Sequence, residues 1–184
     1  MLSFISRHFC AVLLLASLTT FGAAVQAESK AALEQSSREA LSALIKENSS
    51  ADALNDKAIA VLVFPKVTKA GLIVGGQYGE GVLWRDGKAV SFYSTAGASV
   101  GFQAGAQEFG YALFFMKDSA LKALDTAQGF EVGVGPSIVV MDKGMAVSRT
   151  TTTIQNDIYA FIFDQRGLMA GLGIQGNKIT KINK

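Results

Sequence analysis

Apolar residues recur at three- and four-residue intervals from Ser29 to about Asn48, where Leu33, Ala40, Leu41, Leu44 and Ile45 share one side of a helical wheel. The spacing predicts one amphipathic helix. A shorter helix is predicted from Ala51 to Ala58, with Ser49 or Ser50 as its N-cap and Leu54 turned inward. At Ile59 the texture changes to strands: IAVLVFPKV is a continuous apolar run that ends at Pro65. Pro65 has no N–H for a ladder, so it places this strand at an edge or marks its end, with Lys66 and Lys69 in the turn that follows.

The next segments, GLIVGGQYGEGVLW and AVSFYST, flank Arg85-Asp86-Gly87-Lys88 and read as a β-hairpin with an Asp-Gly turn. After them come ASVGFQAGAQEFGYALFFM, a short helix near Asp118 to Ala127, GFEVGVGPSIVVMD, a turn at Asp142-Lys143-Gly144, MAVSRTTTTIQNDIYAFIF, a turn at Asp164 to Gly167, and LMAGLGIQGNKITKI. This gives about seven or eight strands with no repeated crossover helix. The class is α+β, with N-terminal helices packed on a mainly antiparallel sheet. Glycine recurs inside the strands, at 71, 75, 76, 79 and 81 in the first glycine-rich segment alone. Interior glycines mark bulges, bends or close backbone approach, so the sheet is expected to be strongly curved, a partial barrel.

The first 27 residues have a different pattern. Arg7 and His8 precede an uncharged apolar run from Phe9 to Ala24, and Val25-Gln26-Ala27 supplies small residues before a cut. That is the form of a secretory signal peptide, giving an exported, periplasmic or secreted protein that starts near Glu28. The remaining domain, 28–184, is helical to residue 58 and mainly β thereafter. Cleavage removes the sole cysteine (Cys10) and the sole histidine (His8), so the mature domain holds no disulfide. Cys10 also precedes most of the apolar run, whereas the modified cysteine of a lipoprotein follows it. Without Arg7, sixteen Lys plus Arg stand against fifteen Asp plus Glu, interspersed, which is not the composition of a nucleic-acid-binding protein.

Four patterns mimic catalytic or nucleotide motifs. Gly71 to Gly76 has phosphate-loop spacing, but Gln77 and Tyr78 stand where the loop needs a lysine and a hydroxyl for magnesium. Gly171 to Gly176 fits GxGxxG, yet only NKITKINK follows, without the helix or acidic residue of a dinucleotide site. Gly97-Ala98-Ser99-Val100-Gly101 fits the nucleophile elbow in a mature chain with no histidine to act as base. Ser119 and Lys122 fit SxxK, but Asp118 and Ser119 also suit a helix N-cap. Zinc ligands are absent and the carboxylates fall singly, so no metal, nucleotide or other cofactor is expected. Glu80, Glu108 and Glu131 lie in strands, where a cross-strand carboxylate pair would be needed for acid/base work. Gln103 and Gln107, four apart, are expected on one face.

KAIAVLVFPKVTKAGLIVGGQYGEGVL, SVGFQAGAQEFGYALFFM, GFEVGVGPSIVV and GLMAGLGIQGNKI together resemble the SYLF domain, over Ala31 to Ile182. The FPKxxKxG and GGxxGxG runs joined to GxQxG carry the resemblance. It implies a non-enzymatic binding domain: eukaryotic members bind phosphoinositides and, in yeast, actin, while bacterial members are envelope proteins with proposed lipid binding. The mixed charge of the first helix here departs from the strongly basic helix associated with lipid contact in eukaryotic relatives. The leading expectation is an anionic phospholipid or membrane surface engaged by Lys66 and Lys69, then Lys57 and Arg85. The alternatives are an envelope protein partner held on Phe102, Phe109, Tyr111, Phe114 and Phe115, and a hydrolase using Ser119 and Lys122 or paired carboxylates.

Overall fold

The computed structural model describes residues 28–125, 130–131, 137–141, 156–167 and 177–184. The signal-like segment 1–27, the turn at 142–144 and the GxGxxG stretch at 171–176 lie outside them. Helices α1 (Lys30–Glu47) and α2 (Ser49–Asn55) precede two very long strands, β1 (Ala60–Arg85) and β2 (Lys88–Phe115). Then follow α3 (Asp118–Leu124), β3 (Phe130–Glu131), β4 (Ile138–Met141), β5 (Ile158–Gly167) and β6 (Lys178–Ile182). The order α then β, without crossover helices, makes the domain α+β.

Ser29 caps α1 by accepting from the Ala32 N–H, as Ser residues at this position do. The second helix departs from expectation: Asn48 is its cap, its Oδ1 accepting from the N–H groups of Ser50 and Ala51 at 3.0 and 3.1 Å. Asn48 thereby ends one helix and starts the next. At α3 the expected Asp118 or Ser119 cap is replaced by Lys117, whose side chain makes no capping bond.

IAVLVFPKV and GLIVGGQYGEGVLW, read as separate strands, are one. Pro65 and Lys66 are absorbed as a bulge, the register passing from Phe64↔Tyr111 to Val67↔Phe109. A second irregularity, between Leu72 and Val74, interrupts the middle of the hairpin. Its tip closes with Arg85↔Lys88 around Asp86 and Gly87, whose φ values of 51° and 71° are those of a two-residue primed turn.

The sheet is open and mainly antiparallel. β2 is its spine, with β1 along one side and, on the other, β6 beside Phe92–Ala96 and β5 beside Gln107–Phe115. β4 joins β5 in parallel and β3 joins β6. Among the described residues β1 pairs only with β2, so the edge position expected for Pro65 is the one observed.

The curvature folds the hairpin back on itself. A Cβ built on Gly79 would lie 2.7 Å from the Lys66 carbonyl oxygen, and one on Gly81 2.6 Å from that of Val63. These two glycines let distant parts of β1 touch. Inside the concavity Leu62, Phe64, Tyr93, Phe109, Leu113 and Ile158 form one core, closed at an end by Ala120 and Leu124 of α3. On the other face Leu33 and Leu44 of α1 and Leu54 of α2 pack on Val61, Val63, Trp84 and Phe114. Ala60–Phe64, Tyr111–Phe115 and Ile158–Phe161 are buried on both faces, which is why those runs are unbroken apolar sequence.

A candidate lipid-contact cleft

Trp84 sits near the end of β1, under α1. Its indole N–H donates to the Ser37 hydroxyl at 2.8 Å, and both residues are buried. The Arg38 guanidinium lies over the outer face of the ring, 4.4 Å from its centre. This stack forms one wall of a cleft of about 440 Å³ between α1 and the hairpin tip. Leu41, Ile45 and Ile59 give the cleft an apolar lining; Arg38, Arg85, Asp56 and Asp86 give it charge. Lys57 follows Asp56 directly, and Lys88 is the register partner of Arg85. Two cations, Arg38 and Arg85, and two carboxylates thus line the cleft, beside an apolar groove.

The structure divides the four sequence candidates. Arg85 lines the cleft, whereas Lys57 is not among its lining residues, although its neighbours Asp56 and Ala58 are. Lys66 is not in a turn but at the β1 bulge, paired with Glu108 at 2.7 Å and bordering a separate recess of about 390 Å³ with Pro65, Glu28, Glu39 and Asp164. Lys69 is likewise within the strand; it is buried, its side chain already engaged. Arg38 and Lys88 were not singled out from sequence. Arg38 was visible only as one charge on the polar side of α1, and which edge of that helix borders the hairpin tip is set by tertiary packing.

The catalytic alternatives gain no geometry. Ser119 and Lys122 stand exposed on α3, and Gly97 to Gly101 lie within β2. Glu80 meets Lys184 at 2.5 Å and accepts from the Tyr78 hydroxyl at 3.0 Å; Glu108 meets Lys66. These carboxylates are partnered by cations, not by each other. Lys117, with help from the N–H and hydroxyl of Ser137, draws the Asp157 carboxyl down to about 2, which keeps it ionised as a strut between α3 and β5. Among the described residues no group of three acidic, His or Cys side chains could hold a metal. No described helix is long and apolar enough to cross a membrane. Of the five aromatics considered above as a partner-binding surface, Phe109, Tyr111, Phe114 and Phe115 are fully buried core, and the side chain of Phe102 lies outside the described residues.

The described residues thus form a glycine-bent, two-faced sheet with a charged cleft at the hairpin tip. Residues 96–184, from the middle of β2 onward, match the family described as Ysc84, Las17-binding protein actin regulator. The match is to the Ysc84, or SYLF, family of the resemblance, and it covers the GxQxG segment and the sequence after it. No curated protein matches the chain.

Proposed function

We propose that the protein is an exported, non-enzymatic lipid-binding module of a bacterial cell envelope, which docks the tip of its long hairpin on anionic phospholipid. The observation that carries this reading is the cleft, where cations flank an apolar groove. Arg38 and Arg85 meet lipid phosphate, Lys57 and Lys88 add surface charge, and Leu41, Ile45 and Ile59 accept the apolar neck of the lipid. Asp56 and Asp86 moderate the charge, so contact depends on several cations together at about 1 kcal/mol each. Family membership supports a binding role, and the signal-like N-terminus supports export. Lys66 is assigned a lesser part because it already pairs with Glu108.

Sedimentation with phosphatidylglycerol vesicles at low salt tests the reading, using protein expressed from the full chain. Binding is expected to weaken with salt and to fall at least about tenfold in the double variant Arg85→Glu, Lys88→Glu, since two contacts of that size are reversed. Undiminished binding by the double variant, or equal binding to neutral phosphatidylcholine, would overturn it. An N-terminus at Glu28 in protein recovered from the producing cells checks export.

A further inference from the structure

Trp84 is the single tryptophan of the chain, and it is held from two sides. At its edge the indole N–H donates to the Ser37 hydroxyl at 2.8 Å, a bond between two buried residues that fixes how the ring lies. On its face rests the Arg38 guanidinium, 4.4 Å from the ring centre and within reach of a cation–π contact. Ser37 and Arg38 are neighbours on α1, so one turn of that helix supplies both the pin and the cation.

A guanidinium carried on an aromatic ring keeps its N–H donors, which lie in its own plane, available to an acceptor. Among the described residues the Arg38 side chain forms no ion pair and no hydrogen bond, although Asp56 and Asp86 line the same cleft. The contact with Trp84 therefore holds the side chain at the cleft wall with its donors unused. Arg85 lines the cleft as well and forms no ion pair among the described residues, but no described ring lies against it. On binding, Arg85 must surrender side-chain freedom that Arg38 has already given up.

We infer that Trp84 is the positioning residue of the cleft and that the guanidinium it holds, Arg38, sets the strength of anion contact in a way that nearby positive charge does not. The inference rests on the reading of the cleft as an anion-contact site, and it separates two arginines that charge alone makes equivalent. Lysine carries the same charge as a compact point on a flexible stem, without the planar fork or its stacking. It can stand in at residue 85 and cannot at residue 38.

Arg38→Lys and Arg85→Lys, made in the full chain, are compared by sedimentation with phosphatidylglycerol vesicles at low salt. Arg38→Lys is expected to lose about fivefold or more in apparent affinity, the size of one preorganised cation–π contact, and Arg85→Lys to stay within about twofold. Both substitutions keep the net charge at exposed positions, so both proteins should melt with the wild type. Trp84→Phe retains a ring, though a weaker one, and is expected to fall between wild type and Arg38→Lys. A second measurement needs no ligand: acrylamide quenching of Trp84 emission should increase in Arg38→Ala, which uncovers the ring, and not in Arg85→Ala. Wild-type affinity in Arg38→Lys, an equal loss in Arg38→Lys and Arg85→Lys, or unchanged quenching in Arg38→Ala would each overturn the inference and leave the cleft reading in place. Absence of wild-type binding, or undiminished binding by the double variant Arg85→Glu, Lys88→Glu, would overturn the cleft reading and the inference with it.

Discussion

Replacing Gly79 or Gly81 with alanine adds one methyl group where β1 returns upon itself. Neither glycine has a left-handed φ, so the substitution tests space and not backbone conformation. At Gly79 the new carbon would stand 2.7 Å from both the Lys66 oxygen and Val67 Cγ2, and 3.1 Å from Val67 Cα. At Gly81 it would stand 2.6 Å from the Val63 oxygen and 2.7 Å from Phe64 Cδ1. Half of each clash is with backbone, which cannot rotate away, and Val67 and Phe64 are themselves fully buried. Overpacking of this kind costs about 1–3 kcal/mol, and the backbone contacts put both variants near the upper figure. For a domain of this size each kcal/mol moves the midpoint by roughly 2–4 °C, so a fall of about 6–12 °C is expected in thermal unfolding followed by circular dichroism. Gly76→Ala is the control: its Cβ meets nothing nearer than 3.9 Å, and the stiffer unfolded chain should leave it neutral or up to about 1 kcal/mol more stable. If all three variants melt within 2 °C of one another, on the order of 1 kcal/mol or less, the close approach is not what these glycines provide.

Ser37→Ala strands the buried Trp84 N–H and should cost about 1–3 kcal/mol in urea unfolding, with Ser37→Thr recovering part of it. Lys184→Ala leaves the Glu80 carboxylate, only 11% exposed, with the Tyr78 hydroxyl as its remaining partner; a loss of about 3 kcal/mol is expected by the same measurement. Asp157 has its folded-state carboxyl near 2 against an ordinary 3.8, so its stabilising effect is present above 3.8 and disappears as pH falls through about 2. Asp157→Asn should therefore flatten the acid limb of the stability curve over that interval and leave its neutral slope unchanged.

The α+β class and the hairpin turn were legible because each rests on local chemistry. Apolar spacing fixed α1 to within a residue at each end, and Asp86-Gly87 supplied the two positive φ angles that the tip requires. The boundary near Pro65 was not legible. A missing N–H argues for a strand end, but on an edge strand the unpaired group can face outward and the chain continues through a bulge. The glycines showed that bends or close approaches existed without saying between which residues; Gly79 against Val67 is a contact between two parts of one strand. Site residues were the least legible part. Lys66 and Lys69 lie three apart in sequence, and one is exposed and ion-paired while the other is buried, because the segment is strand and not turn, and residues three apart on a strand point to opposite faces. Arg38 and Arg85 lie far apart in sequence and border one cleft.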